Sequence, residues 1–360
     1  MRRTPALIVG GGPAGSAAAI RLAQAGIRPL LLERQRETGD ALCGGFLSWR
    51  SLASLAAIGI APDQLNPQRV THVRLFAGDR TAGAALPAPA VAVSRHRLDT
   101  LLLAAAEAAG TAVERGVAVR AIEGRTARTA DGGTIEGEAL FLASGKHDVR
   151  GAARPEEARG ADPTLGLRLH LPPSPGLAAA LAGRVELHLF DRGYAGLVLQ
   201  EDGRANLCLA VHRSRLHAAG TPAALIAALA RESPRLGERL GTLPTDAVEA
   251  IANGPYGWRA RSGTAGVFRL GDQAGVIPSL AGEGMGIALA SAAGASGAFL
   301  TGGADAAAAW QAAFARRLAR PMAVAGLVRR AAEHRHAGAL LMLARAPLLL
   351  RLVAHATRIA

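Results

Sequence analysis

The sequence predicts an α/β protein: a parallel-sheet domain, interrupted by an inserted antiparallel sheet and followed by a helical tail. Three observations carry this. The apolar run Ala6–Val9 leads straight into Gly10-Gly11-Gly12-Pro13-Ala14-Gly15, a helical pattern over Ser16–Ala25, and a second apolar run, Pro29–Leu32, ending in Glu33. Short alternating runs follow one another between Gly166 and Val211. A strand and a glycine-rich helix start return at Val267–Gly286, and the chain after them is rich in Ala, Leu and Arg.

Strand, glycine turn, helix, strand and acid make up the dinucleotide fingerprint in its full context. Gly10 permits the tight turn, Gly12 lets a pyrophosphate approach the backbone, and Gly15 lets the helix pack on the strand. The helix start offers free N–H groups to that pyrophosphate. Glu33 can accept both hydroxyls of an adenosine ribose. An acid there disfavours a 2′-phosphate, so the expected ligand is FAD or NAD rather than NADP.

A polar connection, Arg34–Leu42, leads to Cys43-Gly44-Gly45-Phe46-Leu47-Ser48, where two glycines let backbone lie against something flat or bulky. Helical periodicity covers Trp49–Ile58 and stops at Gly59. Val70–Phe76 alternates like a strand, and Ala85–Pro89 reads as a loop. A helix over Arg97–Ala109 is expected to bury Leu98, Leu101, Leu102 and Ala105. Val113, Val117 and Val119 mark a strand, Asp131-Gly132 a hairpin turn, and Leu140–Ala143 a buried strand ending in Ser144-Gly145-Lys146-His147.

Past Gly151 the pattern changes. Gly166–Leu171, Val185–Phe190, Gly193–Gln200 and Asn206–Val211 read as strands of one sheet, with Asp202-Gly203 turning the last pair, and Pro222–Arg231 as a helix. The expected division is 1–150 with 260–300 as the nucleotide-binding domain, 151–259 as the sheet domain and 301–360 as C-terminal helices. Strand Val70–Phe76 is the one element of the first part that could join the second sheet. Val267–Leu270 ends at Gly271-Asp272, where Asp272 either binds ligand hydroxyls or caps a turn. Gly282-Glu283-Gly284-Met285 opens a helix to about Leu300, another helix start suited to negative charge.

The net charge of +13 resembles a nucleic-acid signal. Lys146 is the sole lysine, the arginines are scattered, and only 3% of residues are aromatic, which argues against stacking on bases. Cys43 and Cys208 offer neither metal spacing nor a disulfide framework, which fits a cytoplasmic protein. Arg2-Arg3 precedes an apolar run too short for a signal peptide, and no uninterrupted apolar segment is expected to span a bilayer. In the tail, Ala337–Ala354 is strongly apolar but interrupted by Arg345, Pro347 and Arg351. It reads either as helices packed on the domains or as a basic interfacial helix in peripheral contact with a membrane.

GGGPAG with Glu33, CGGFLS, SRHRLD at Ser94–Asp99 and GDQAGVIPSLAGEGMG at Gly271–Gly286 together resemble the glutathione-reductase-type, Rossmann-like FAD proteins built like p-hydroxybenzoate hydroxylase, the group A flavin monooxygenases, and within them the geranylgeranyl reductase branch. The resemblance implies FAD held by Gly10, Gly12, Pro13, Ala14, Gly15, Glu33, Arg34, Arg95, Gly271 and Asp272. It places Gly282, Glu283, Gly284 and Met285 along the flavin's pyrimidine edge. Cys43, Gly44 and Gly45 match the family's CGG at the isoalloxazine ring, although Cys43 also reads as a small buried hydrophobe. Ser144 stands where the aromatic hydroxylases carry Asp, and no second fingerprint for NAD(P)H appears.

The expectation is an FAD-dependent oxidoreductase acting on a hydrophobic small molecule of isoprenoid, polyketide or lipid type. Reduction of C=C bonds is slightly favoured over hydroxylation, and electron transfer to a quinone is the further alternative. NADH, NADPH or a donor protein would reduce the flavin transiently. Cys43, His147 and Tyr194 are the candidate catalytic groups, and no metal is expected.

Overall fold

The computed structural model describes residues 1–241, 248–333, 337–344 and 346–359. The strands are β1 (Arg2–Val9), β2 (Leu30–Glu33), β3 (Phe46–Leu47), β4 (Val70–Ala77), β5 (Arg80–Ala92), β6 (Ala112–Arg115), β7 (Val119–Glu123), β8 (Thr126–Thr129), β9 (Thr134–Leu142), β10 (Thr164–Leu171), β11 (Arg184–Phe190), β12 (Gly193–Leu199), β13 (Ala205–His212), β14 (Glu249–Gly254) and β15 (Val267–Arg269). The helices are α1 (Pro13–Gln24), α2 (Trp49–Ala56), α3 (Pro62–Leu65), α4 (Arg95–Ala108), α5 (Pro175–Leu181), α6 (Arg213–Ala219), α7 (Pro222–Glu232), α8 (Pro234–Leu240), α9 (Gly284–Gly302), α10 (Ala306–Ala332), α11 (Ala337–Ala344) and α12 (Pro347–Ala356).

Among the described residues the strands form two sheets. In the first, β6, β2, β1, β9 and β15 run parallel, and β8 and β7 extend it antiparallel from β9. Its central strands are covered on both faces, which is why they read as unbroken apolar runs. Ala6, Ile8, Phe141 and Phe268 pack beneath α1, α4 and α9; Leu7, Val9, Leu32, Leu140 and Leu142 form the core of the other face. The chain leaves β1 for β2 on one side and pairs β1 with β9 on the other. That divergence opens a crevice at the strands' carboxyl ends, where ligands of such sheets bind.

The second sheet runs β14-β10-β13-β12-β11-β4-β5-β3, antiparallel except where β11 meets β4. Three of its strands therefore come from the N-terminal third of the chain. The segment Ala85–Pro89 belongs to β5 and is not a loop. Its prolines mislead because they fall in a bulge: Ala85 pairs with His72 and Ala90 with Val70, leaving the residues between them out of register. Proline is tolerated there because no ladder N–H is needed. Val113–Val119 is likewise two strands, β6 and β7, separated by Gly116 at φ 77°.

Helix α4 begins at Arg95, two residues earlier than the periodicity suggests, because the Ser94 hydroxyl accepts the Arg97 N–H at 3.0 Å. Its fully buried side is Leu98, Leu102, Leu103 and Ala106; Leu101 and Ala105 are half-buried. The run Gly284–Ala332 is long and apolar enough to cross a membrane, contrary to expectation, but more than half of its most apolar 18-residue stretch is buried in this fold. Its first helix, α9, packs on α1 in the core. Helices α11 and α12 lie against β4 and β5; Arg345 lies outside the described residues.

Candidate active site

A cavity of about 900 Å³ runs from the carboxyl ends of β1 and β9 to the inner face of the second sheet. At its first end β1 turns at Gly10, φ 107°, where a Cβ would strike the Ala143 carbonyl. Helix α1 starts with Gly12 as a cap without a side chain and Pro13 without an N–H. The amide of Ala14, which lines the cavity, is thus left for a ligand. Glu33 Oε2 accepts the Gly11 N–H at 2.7 Å and Oε1 the Gln35 N–H at 2.9 Å; no cation neutralises it among the described residues. Arg95 reaches over Gly12, its Nη2 lying 3.3 Å from where a Cβ would be. Burial opposes its charge, but Asp99, bonded to it at 3.0 and 2.6 Å, holds its pKa above the usual arginine value.

Midway, Cys43, Gly44, Gly45 and Phe46 line the cavity together with Asp272, Gly282, Gly284 and Met285. Asn206 Nδ2 holds the Cys43 carbonyl at 2.9 Å. A Cβ on Gly44 would meet nothing within 4 Å, so this backbone borders open space. Asp272 lies inside the short 3-10 turn Gly271–Gln273 and lines the cavity. Gly282 adopts φ 63° against Phe46, and α9 opens immediately after it, again without a side-chain cap.

At the far end the walls are Val73 and Leu75 of β4, Val185, Leu187 and Leu189 of β11, Tyr194 and Val198 of β12, and Leu340, Leu350 and Val353 of α11 and α12. The hydroxyls of Tyr194 and Tyr256 both bond the Ser279 hydroxyl, Tyr256 at 2.7 Å. Burial pushes both phenols above their usual pKa, so they stay protonated. Lys146 lines the same cavity. Burial works against its charge, yet Tyr256 and Asp272 keep its pKa above the ordinary lysine value. The Cys208 thiol, also in the wall, is pushed up to about 12 by burial and then by Cys43, so it is a neutral, inert group.

Most of the residues expected at the site come together here, with two departures. Gly15 does not face the cavity; a Cβ there would collide with the Gly10 carbonyl, so this glycine serves helix–strand packing. Glu283 also turns away. Its carboxylate folds back over Gly286, accepts from Ser48 Oγ and the Ile359 N–H at 3.3 Å each, and forms an ion pair with Arg358, whose Nε lies 3.3 Å away. His147 lies at the nucleotide end, where Arg34 Nη2 donates to its Nε2 at 2.7 Å. Burial and then Arg34 lower its pKa, so it is a neutral acceptor remote in role from the tyrosines. Lys146, Tyr256 and Ser279 were not anticipated as site residues. The available signal was positional: Lys146 follows the carboxyl end of β9, where parallel sheets place functional groups.

Two uncapped helix starts, an unneutralised carboxylate at the ribose position and bare backbone at Gly12 and Gly44 fit FAD along this cavity. The family model described as "FAD binding domain" matches residues 3–150. The chain is 34% identical over 132 residues to an uncharacterized protein in the nifH2 5′ region of Methanosarcina barkeri, covering 34% of this chain and 70% of that one. A flavoprotein/dehydrogenase from Cytophaga hutchinsonii superposes with a TM-score of 0.79 at 17% identity, covering 98% and 93% of the two chains. PqsL, a probable FAD-dependent monooxygenase from Pseudomonas aeruginosa, superposes at 0.72 with 18% identity, covering 95% and 100%.

Proposed function

Because this chain belongs to the FAD-dependent flavoproteins of the p-hydroxybenzoate hydroxylase-like superfamily, we propose that it is a monooxygenase that hydroxylates an apolar small molecule bearing a phenol- or enol-type hydroxyl. The observation that carries the reading is the polar cluster of Lys146, Tyr194, Tyr256 and Ser279 set into an otherwise apolar chamber that continues the cofactor cleft. The likeness to a probable FAD-dependent monooxygenase supports hydroxylation over the reduction of C=C bonds favoured by the sequence.

In this reading the amide of Ala14, with Arg95, holds the pyrophosphate, and Glu33 holds the ribose. Gly44 and the start of α9 border the ring. FAD bound there supplies the two-electron chemistry and the activation of O2. The chain's own residues place the substrate and exclude water. The Tyr194–Ser279–Tyr256 chain uses two of its three hydroxyl protons internally and leaves one to donate to a substrate oxygen; the Lys146 ammonium stabilises that oxygen when it binds already ionised from solvent. An ionised oxygen enriches the carbon to be hydroxylated in electrons. Ser144, in place of the Asp of related hydroxylases, leaves the reductant to a weakly held nicotinamide or a donor protein.

The test is product mass under ¹⁸O₂, with the flavin reduced photochemically and a panel of apolar phenols and enols supplied. One ¹⁸O atom per product is expected. Products heavier by two hydrogens, with no label, would make this a reductase.

A further inference from the structure

The C-terminal cap has two apolar sides. The inner side of α11 and α12 lines the cavity through Leu340, Leu350, Val353 and Ala354. On the outer side Met342, Leu348, Leu349 and Leu352, with Leu327 of α10, are 46–75% exposed. These five are most of the large exposed hydrophobics among the described residues, and packing does not require them. Leu348 and Leu352 stand one helical turn apart, so their side chains share a face.

The charge around them is one-sided. From Ala306 to Ala360 the chain has nine arginines and a single acid, Glu333. Glu333 is already engaged by Arg329 and His212. Arg316, Arg320 and Arg330 are exposed and share one strip of α10 with Leu327, spanning about 80° of helical arc. Arg351 is exposed beside Leu352. None of these four guanidiniums pairs with an acid among the described residues.

We infer that this cap docks on an anionic lipid surface, its leucines entering the headgroup–acyl boundary and its arginines meeting the headgroups. A second copy of the chain is a poor occupant, since it would bring the same arginines against these. The exposed face offers aliphatic side chains, and Ala337–Ala360 contains no Trp, Tyr or Phe, the anchors that protein interfaces favour. Lipid needs only apolar area and opposite charge. Helix α12 has 10 residues, about 15 Å, so it lies on the bilayer and does not cross it. This docking is independent of the reaction proposed above.

The test is co-sedimentation of the full FAD-loaded chain with vesicles of phosphatidylcholine alone or mixed with phosphatidylglycerol. Binding to the anionic vesicles only is expected, weakening as salt rises. Leu348→Ser with Leu352→Ser lowers the partition coefficient by about tenfold or more, with flavin absorbance and unfolding temperature unchanged. Arg320→Glu with Arg330→Glu does so through charge, at similar unfolding temperature. Equal recovery with both vesicle types, or binding that the leucine pair leaves intact, overturns the inference. So does a lipid-free dimer, seen by analytical ultracentrifugation, that the leucine pair dissolves.

Discussion

The two helix starts that open on the cavity are held in different ways. At α1 the determinants lie within one strand–helix–strand unit: Gly10 turns the chain, Gly15 seats the helix on Gly10, and Glu33 fixes the Gly11 amide. At α9 they come from distant parts of the chain. Glu283 is folded over Gly286 and held by Ser48 near the N-terminus and by Arg358 and Ile359 near the C-terminus. Arg358 in turn donates to the Ala281 carbonyl at 2.5 Å and lies over the Trp49 ring. The first start is a local turn; the second is a clamp. The clamp ties the cofactor cleft to the C-terminal cap, so damage to the tail should reach the flavin.

The local turn should fail most severely. Gly15→Ala puts a Cβ into the Gly10 carbonyl, and neither backbone segment can yield without moving β1 or α1. A cost of about 3 kcal/mol is expected, with flavin lost on purification, read by thermal unfolding and the visible spectrum. Breaking the clamp is next. Arg358→Ala leaves Glu283 buried without its cation, for about 2 to 3 kcal/mol, below the full cost of an orphaned charge because the carboxyl can take up a proton. Burial already raises the Glu283 pKa, and losing Arg358 raises it further. An acid whose folded pKa is raised gives stability below its unfolded value that is lost as pH rises to the folded one. The variant's deficit should therefore widen from pH 5 to pH 7, with weaker FAD binding. A deficit flat with pH would break the clamp account. Glu33→Ala comes third: FAD affinity should fall about 10- to 100-fold with the unfolding temperature of the flavin-free protein little changed.

The same contrast governs what could be read from the chain. The first unit was legible because its turn, helix and acid lie within Ala6–Glu33 and each follows from local chemistry. Glu283 was expected at the flavin because it sits in a glycine run; nothing in spacing links it to Arg358. Tyr256 and Ser279 meet Tyr194 only because the second sheet and the return to β15 converge on one chamber. The prolines of β5 conceal a strand because a bulge, invisible without its partner strand, absorbs them.

The smallest effect tests where the cap is fastened to the second sheet. His212, at the end of β13, contacts Glu333 at 3.0 Å and Asp162 at 3.1 Å, with Arg329 also at 3.0 Å from its ring. The hydrogen bond to Glu333 raises its pKa, against burial and Arg329. A histidine whose folded pKa is raised contributes fully below its unfolded value of about 6.5 and ceases to contribute as pH rises through the folded one. Stability gained here should therefore fade between neutral and alkaline pH, by about 1 kcal/mol or less because the pair is partly solvated. Urea unfolding at pH 6 and pH 9 measures it: the parent should lose more stability over that interval than His212→Gln. Parallel losses would show that charge at this joint does not hold the cap, leaving Leu341 and its neighbours against β4 and β5 to do so.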